Sequence, residues 1–160
     1  MKDFFSKYGH YIAAPVFYAA VAISGGLFTK MGLYTWYPSL IKPSFTPPGN
    51  FIGTVWTVIY ILTALSMIIF VNKARDDELF GPIIGLYVAN GIFNAAWGLI
   101  FFGANLLGLA VIDAGLILFT VGLLMALVGR YSFLACLLLL PYFAWTCFAT
   151  YLSYVIYQLN

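Results

Sequence analysis

FIGTVWTVIYILTALSMIIFV, Phe51–Val71, runs for 21 residues without a charged side chain. At about 1.5 Å of rise per residue a helix of that length spans about 30 Å, the thickness of a bilayer's hydrocarbon core. An open strand there would leave its amides unsatisfied in lipid, so the run reads as a transmembrane helix. Four more segments have the same character: Tyr11–Thr29, Pro82–Phe102, Leu106–Val128 and Phe133–Tyr157. The fold class is therefore an all-α membrane protein, a bundle of five transmembrane helices near 11–29, 51–71, 82–102, 106–128 and 133–157. They form one domain, 1–160, with residues 30–50 as an ordered lid loop.

Composition agrees. Apolar residues make up 64% of the chain and charged residues 8%, against roughly half and a quarter in a soluble domain. A globule of 160 residues cannot bury so much apolar surface, because surface falls too slowly with size. Lipid is the partner that the composition demands. The net charge of +2, on seven scattered basic residues, gives no electrostatic footprint for nucleic acid.

Lys2 and Lys7 precede an apolar run, and Ala20-Val21-Ala22 resembles a cleavage site. The apolar character continues through Phe28, however, and Gly25-Gly26 reads as helix packing, so the segment is taken as a retained helix. Cys136 and Cys147 fall on one helix, too far apart to pair. His10 reads as an interfacial residue at the mouth of the first helix. No Cys or His pair has ligand spacing, so neither a metal site nor a cofactor is expected.

The lid loop contains Pro38, Pro43, Pro47 and Pro48, with a short helical turn expected near Ser39–Ile41. Proline and aromatic side chains make it a cap over one end of the bundle. Lys2, Lys7, Lys73, Arg75 and Arg130 fall on the N-terminal side, Lys30 and Lys42 on the other. The positive-inside rule places the N-terminus in the cytoplasm, with the loop and C-terminus outside. Gly81 with Gly85, and Gly91 with Ala95, are spaced to let helices approach, chiefly within the bundle and also across a dimer. No internal repeat is visible, which weighs against a duplicated transporter.

Asn90, Asn94 and Trp97 follow i, i+4, i+7 spacing and share one face of the third helix. Lipid penalises that face, so it points inward. Trp56 and Tyr60 lie four apart on the second helix, and Trp145, Phe148, Ala149 and Leu152 form a stripe on the fifth. Together they suggest an apolar, aromatic-walled cavity with a few hydrogen-bonding groups. The same residues fit core filling and interhelical amide bonds equally well. Asp113 is the one ionisable side chain deep in an apolar segment, read as a hydrogen-bonded tie between helices. Neither a nucleophile with its base nor a pair of carboxylates is present, so no conventional enzyme site is expected.

WYPSLIKPSFTPPGNFIGTVWTVIY (Trp36–Tyr60) resembles the signature of the translocator protein family, also called tryptophan-rich sensory proteins or peripheral benzodiazepine receptors. Asn94 with Trp97 and Phe101–Gly103 resembles its third helix, Asp113 its fourth, and PYFAWTCFATYLSY (Pro141–Tyr154) its fifth. The likeness covers nearly the whole chain and is of the bacterial type. It implies a cavity beneath the first loop that binds protoporphyrin IX, haem, and isoquinoline or benzodiazepine ligands, in a homodimer in a bacterial cell membrane. The implied pocket is Tyr37, Pro47, Trp56, Tyr60, Asn94, Trp97, Trp145 and Ala149. Trp56 and Trp145 become catalytic if the protein degrades porphyrin, an alternative to the receptor, as is a small transporter of porphyrins or lipids.

Three positions depart from the family pattern. Phe45 replaces the usual tryptophan after the Lys-Pro pair, keeping an aromatic wall but losing an indole donor. Ala95 stands where many members carry another tryptophan. No basic residue follows Leu152 and Tyr154, which disfavours a sterol partner.

Overall fold

The computed structural model describes residues 8–160. Lys2 and Lys7, which carried part of the orientation argument, lie outside the described residues. The helices are α1 (His10–Gly32), α2 (Gly49–Ala74), α3 (Phe80–Gly98), α4 (Leu107–Val128) and α5 (Phe133–Leu159). A 3-10 turn, Tyr37–Ser39, lies in the loop, and α3 runs on into a π-helical turn, Leu99–Gly103. All five helices, the third counted with its π turn, are long and apolar enough to cross a membrane. Each expected segment holds its place, and the ends of four of the helices extend by a few residues.

The half of the bundle nearest the N-terminus is solid. Phe70 of α2, Tyr87 of α3, Leu124 of α4 and Leu139 of α5 have no exposed surface. Phe70 stacks on Phe80 at 6.0 Å and meets Tyr131 edge-on at 5.4 Å, geometries that favour aromatic pairs. A Cβ at Gly91 would lie 2.7 Å from the Phe17 ring, which packs against the bare backbone there and brings α1 and α3 together. Gly81 and Gly85 differ from expectation: nothing in the chain lies within 4 Å of a Cβ built at either, so they pack no helix of this bundle.

Polar groups inside lipid must find partners among themselves. The Tyr142 hydroxyl donates to Asn90 Oδ1 at 2.6 Å and accepts from Asn94 Nδ2. Asn90 Nδ2 in turn donates to Thr120 Oγ1 at 2.8 Å. One knot thus joins α3, α4 and α5. A second joins α2, α3 and α5: Ser66 donates to the Ala135 carbonyl at 2.7 Å, and its hydroxyl bonds Tyr87 at 2.8 Å. At the outer rim His10 Nε2 meets Asn72 Oδ1 at 2.8 Å, tying the start of α1 to the end of α2. Because Asn72 Nδ2 donates to the Tyr11 hydroxyl, its oxygen is the acceptor and His10 carries its proton on Nε2.

The other end is closed by the loop. Asn160 acts as an extra peptide unit: its Oδ1 accepts from Ile41 N and its Nδ2 donates to Ile41 O, each at 3.0 Å. Lys42 Nζ donates to the carbonyls of Tyr37 and Leu40 at 2.8 and 2.9 Å and stands over the Tyr37 ring. Phe45 stacks on Tyr151, rings 5.8 Å apart. The π turn brings Phe101 and Phe102 inward together beneath Trp36 and Tyr37. α1 crosses that turn at Gly32, where a Cβ would sit 2.5 Å from the Phe102 carbonyl oxygen.

Two outcomes test this arrangement. Tyr142→Phe removes both bonds of the hydroxyl at about 0.6–1.7 kcal/mol each inside a membrane, so reversible unfolding in mixed micelles should show a loss of about 1–3 kcal/mol. A loss below about 0.5 kcal/mol, too small for even one such bond, would mean the knot is not a tie. Replacing Pro47-Pro48 by Gly-Gly restores chain entropy of about 1–2 kcal/mol. Hydrogen exchange at the Leu40, Ile41 and Thr46 amides should then quicken roughly 5- to 30-fold with helical amides unchanged.

Candidate functional site: an aromatic cavity beneath the loop

Between the polar knot and the loop the helices part around a cavity of about 460 Å³, within the range of small-molecule sites. Of the residues expected to form a pocket, Tyr37, Trp56, Tyr60, Asn94, Trp97, Trp145 and Ala149 stand in its wall. Pro47 does not; it lies outside the wall, just before α2, where its fixed φ stiffens the chain. Phe45 also stays out of the wall, because its ring is spent on Tyr151.

Periodicity explains the convergence. Trp56 and Tyr60 are one turn apart on α2 and stack at 5.5 Å. Tyr60 carries the stack on to Tyr18 of α1, 6.2 Å away. On α3, Asn90 is wholly buried in the polar knot, while Asn94 and Trp97, one and two turns on, reach the cavity. On α5, Tyr142 meets Trp56 edge-on at 6.0 Å, and Trp145 begins the wall. Phe51 and Phe148 flank Trp145 at 6.1 and 5.3 Å. Trp97 lies flat on Phe101 at 4.8 Å.

The polar groups are few and one-sided. The indole N–H groups of Trp97 and Trp145 are buried with no hydrogen-bond partner. An unmade bond at a buried donor is costly, so both rings carry a local cost in the wall of this cavity. Thr29 and Thr146 spend their hydroxyls on carbonyls of their own helices, Gly25 and Tyr142. Lys30, at the rim, is the one charged residue in the described wall. Such a wall suits a flat, apolar guest with an anionic group at its edge.

Several wall residues had not been read from the sequence: Lys30, Phe101, Phe102, Gly53 and Thr57. Gly25 packs as expected, its Cα lying 3.6 Å from a Cβ built at Gly98 of α3. Nothing lies within 4 Å of a Cβ built at Gly25 or Gly26 themselves, so their side-chain positions open onto the cavity. Glycine spacing is the same for both uses, so the sequence carries no signal that separates them.

Asp113 is also corrected. It is buried, but its Oδ2 has no partner, and the tie to α5 is made one residue on, by Thr150 Oγ1 donating to the Ala114 carbonyl at 3.2 Å. Asp113 lies outside the wall. Among the described residues no group of three or more His, Cys, Asp or Glu side chains could hold a metal.

Comparison with known proteins matches the model of the TspO/MBR family to residues 12–159. The chain is 42% identical over 127 residues to the tryptophan-rich protein TspO of Bacillus cereus, covering 79% of this chain and 81% of that one. It is 34% identical over 151 residues to the tryptophan-rich protein TspO of Archaeoglobus fulgidus, covering 88% and 90%. To the translocator protein of Homo sapiens it is 34% identical over 126 residues, covering 78% and 75%. With five helices that can span a membrane and a match over nearly its whole length, this chain belongs to the TspO/MBR family and is an integral, multi-pass membrane protein.

Proposed function

We propose that the protein is a membrane receptor or sensor whose cavity binds tetrapyrroles, protoporphyrin IX or haem, and accepts isoquinoline or benzodiazepine ligands. The observation that carries this reading is a cavity of about 460 Å³ walled by the aromatic rings of Trp56, Tyr60, Trp97, Trp145 and Phe148. A porphyrin offers the complementary chemistry: a broad π face for Trp56, Tyr60 and Trp145, and carboxylates for Lys30 at the rim. Family membership supports the receptor or sensor role. The same reading takes the protein as a homodimer in a bacterial cell membrane with its N-terminus in the cytoplasm.

Titration of purified protein with protoporphyrin IX, in light and in dark, tests the proposal. Binding should quench indole fluorescence. Each of Trp56→Phe and Trp145→Phe should weaken binding about 2- to 12-fold, the worth of an indole contact at about 0.5–1.5 kcal/mol. Wild-type affinity in the double variant would remove both residues from the site. Binding without a product supports the receptor, whereas new chromophores in light only would favour degradation.

Orientation is tested separately with a cysteine at Ser39, in the loop. A charged thiol reagent should label it from outside intact cells, and labelling only after permeabilisation would invert the topology.

A further inference from the structure

The cavity has two conceivable doors: upward beneath the loop to water, or sideways between helices to lipid. We infer that guests pass between the cavity and the bilayer through the seam between α1 and α2, while the loop stays shut. This deepens the proposed function, naming the route and the lipid-dissolved class of guest that can use it.

Exposure locates the opening. The wall residues contributed by α3, α4 and α5 are buried or half-buried. The exposed ones are Ala22, Gly26 and Lys30 on α1, facing Gly49, Gly53 and Thr57 on α2, with Tyr34 just above. Gly25, Gly26, Gly49 and Gly53 all have open space where a Cβ would stand. The two helices touch further down, where Tyr18 stacks on Tyr60 and closes the seam from below. From Gly49 to Thr57 is two turns of helix, so the seam reaches about 12 Å into the bilayer.

Chemistry favours the same door. The two threonine hydroxyls at the seam are bonded within their own helices, Thr29 to Gly25 O at 2.7 Å and Thr57 to Gly53 O at 2.9 Å. An apolar body crossing there strips no polar group of its partner. Lifting the loop is different. It breaks both bonds between Asn160 and Ile41, separates Phe45 from Tyr151, and pulls Tyr37 and Leu40 off Phe101 and Phe102. Each of these contacts opposes opening, and none has a counterpart across the seam. Behind the seam stand the rings of Trp97 and Trp145, and at its top stands Lys30. The guest that fits is an amphiphile with a flat apolar body and an anionic edge: the body travels in hydrocarbon while the charge stays near the interface with Lys30.

The test reads the route without needing affinity for any guest. In a Cys136→Ser, Cys147→Ser background, Ala149→Cys places one thiol on the far wall of the cavity. In proteoliposomes a pyrene maleimide, which dissolves in lipid, should label it at least tenfold faster than a charged methanethiosulfonate, each rate normalised to the same reagent on a Ser39→Cys variant. Gly26→Phe and Gly53→Phe should slow the maleimide tenfold or more, with Gly26→Leu and Gly53→Leu giving smaller effects in the same order. Asn160→Ala should leave both rates within twofold. Acceleration of the charged reagent by Asn160→Ala, with no slowing by the seam variants, would make the loop the door and overturn the inference. Circular dichroism of each variant separates a blocked seam from an unfolded bundle. Failure of wild-type protein to bind protoporphyrin IX would overturn the proposed function alone, because the labelling rates do not depend on it.

Discussion

Inside hydrocarbon a polar side chain cannot fall back on water, and the Tyr142 hydroxyl is where this bundle meets that constraint most fully. It gives its proton to Asn90 and takes one from Asn94, while Asn90 passes its own to Thr120. With the apolar effect largely absent between helices in lipid, close packing and such bonds hold a bundle together. Three helices are thereby held in one register. Everything above the knot depends on that register, because Asn94 and Trp97 on α3, and Trp145 on α5, are set inward by the turns beneath them.

The knot also divides the molecule into a solid half and a hollow half. Below it, Phe70, Tyr87 and Leu139 fill the space between α2, α3 and α5, and Phe17 packs against Gly91. Above it, Gly25 and Gly26 on α1 and Gly49 and Gly53 on α2 leave open the space that a side chain would enter. The aromatic side chains of this half line the space without closing it. Trp56 leans on Tyr60, Trp97 on Phe101 and Trp145 on Phe148. Each ring is supported from behind, so the wall keeps its shape without a guest to prop it.

Much of this was legible in the residues themselves. Five apolar runs of membrane-spanning length allowed one fold class, and the spacing of Asn90, Asn94 and Trp97 announced an inward face. The faces carrying Trp56, Tyr60, Trp145 and Ala149 were legible for the same reason, since a polar or indole-bearing stripe has no stable place in lipid. What escaped was whatever depends on the distance between helices. Gly25 and Gly26 look alike whether they meet another helix or a void. Asp113 was read as a tie because burial demands a partner, yet Thr150 makes the tie at the next residue. The π turn after α3 has no mark in the hydropathy, although it is what brings Phe101 and Phe102 inward together.

The places where local rules fail are those where a site is to be sought, because an otherwise consistent sequence has no other reason to keep them. Trp97 and Trp145 each leave a buried N–H without a partner, although a phenylalanine would fill most of the same volume at no such cost. Of the seven helical glycines with open space at Cβ, four, Gly25, Gly26, Gly49 and Gly53, line the cavity, and alanine inside a helix is favoured over glycine by about 0.8–1 kcal/mol. Both choices sacrifice stability, and both occur around the same cavity. Stability alone would have selected phenylalanine for the indoles and alanine for the glycines. Four open glycines and two indoles with unmet donors line one space, and that coincidence is what marks it as the candidate site.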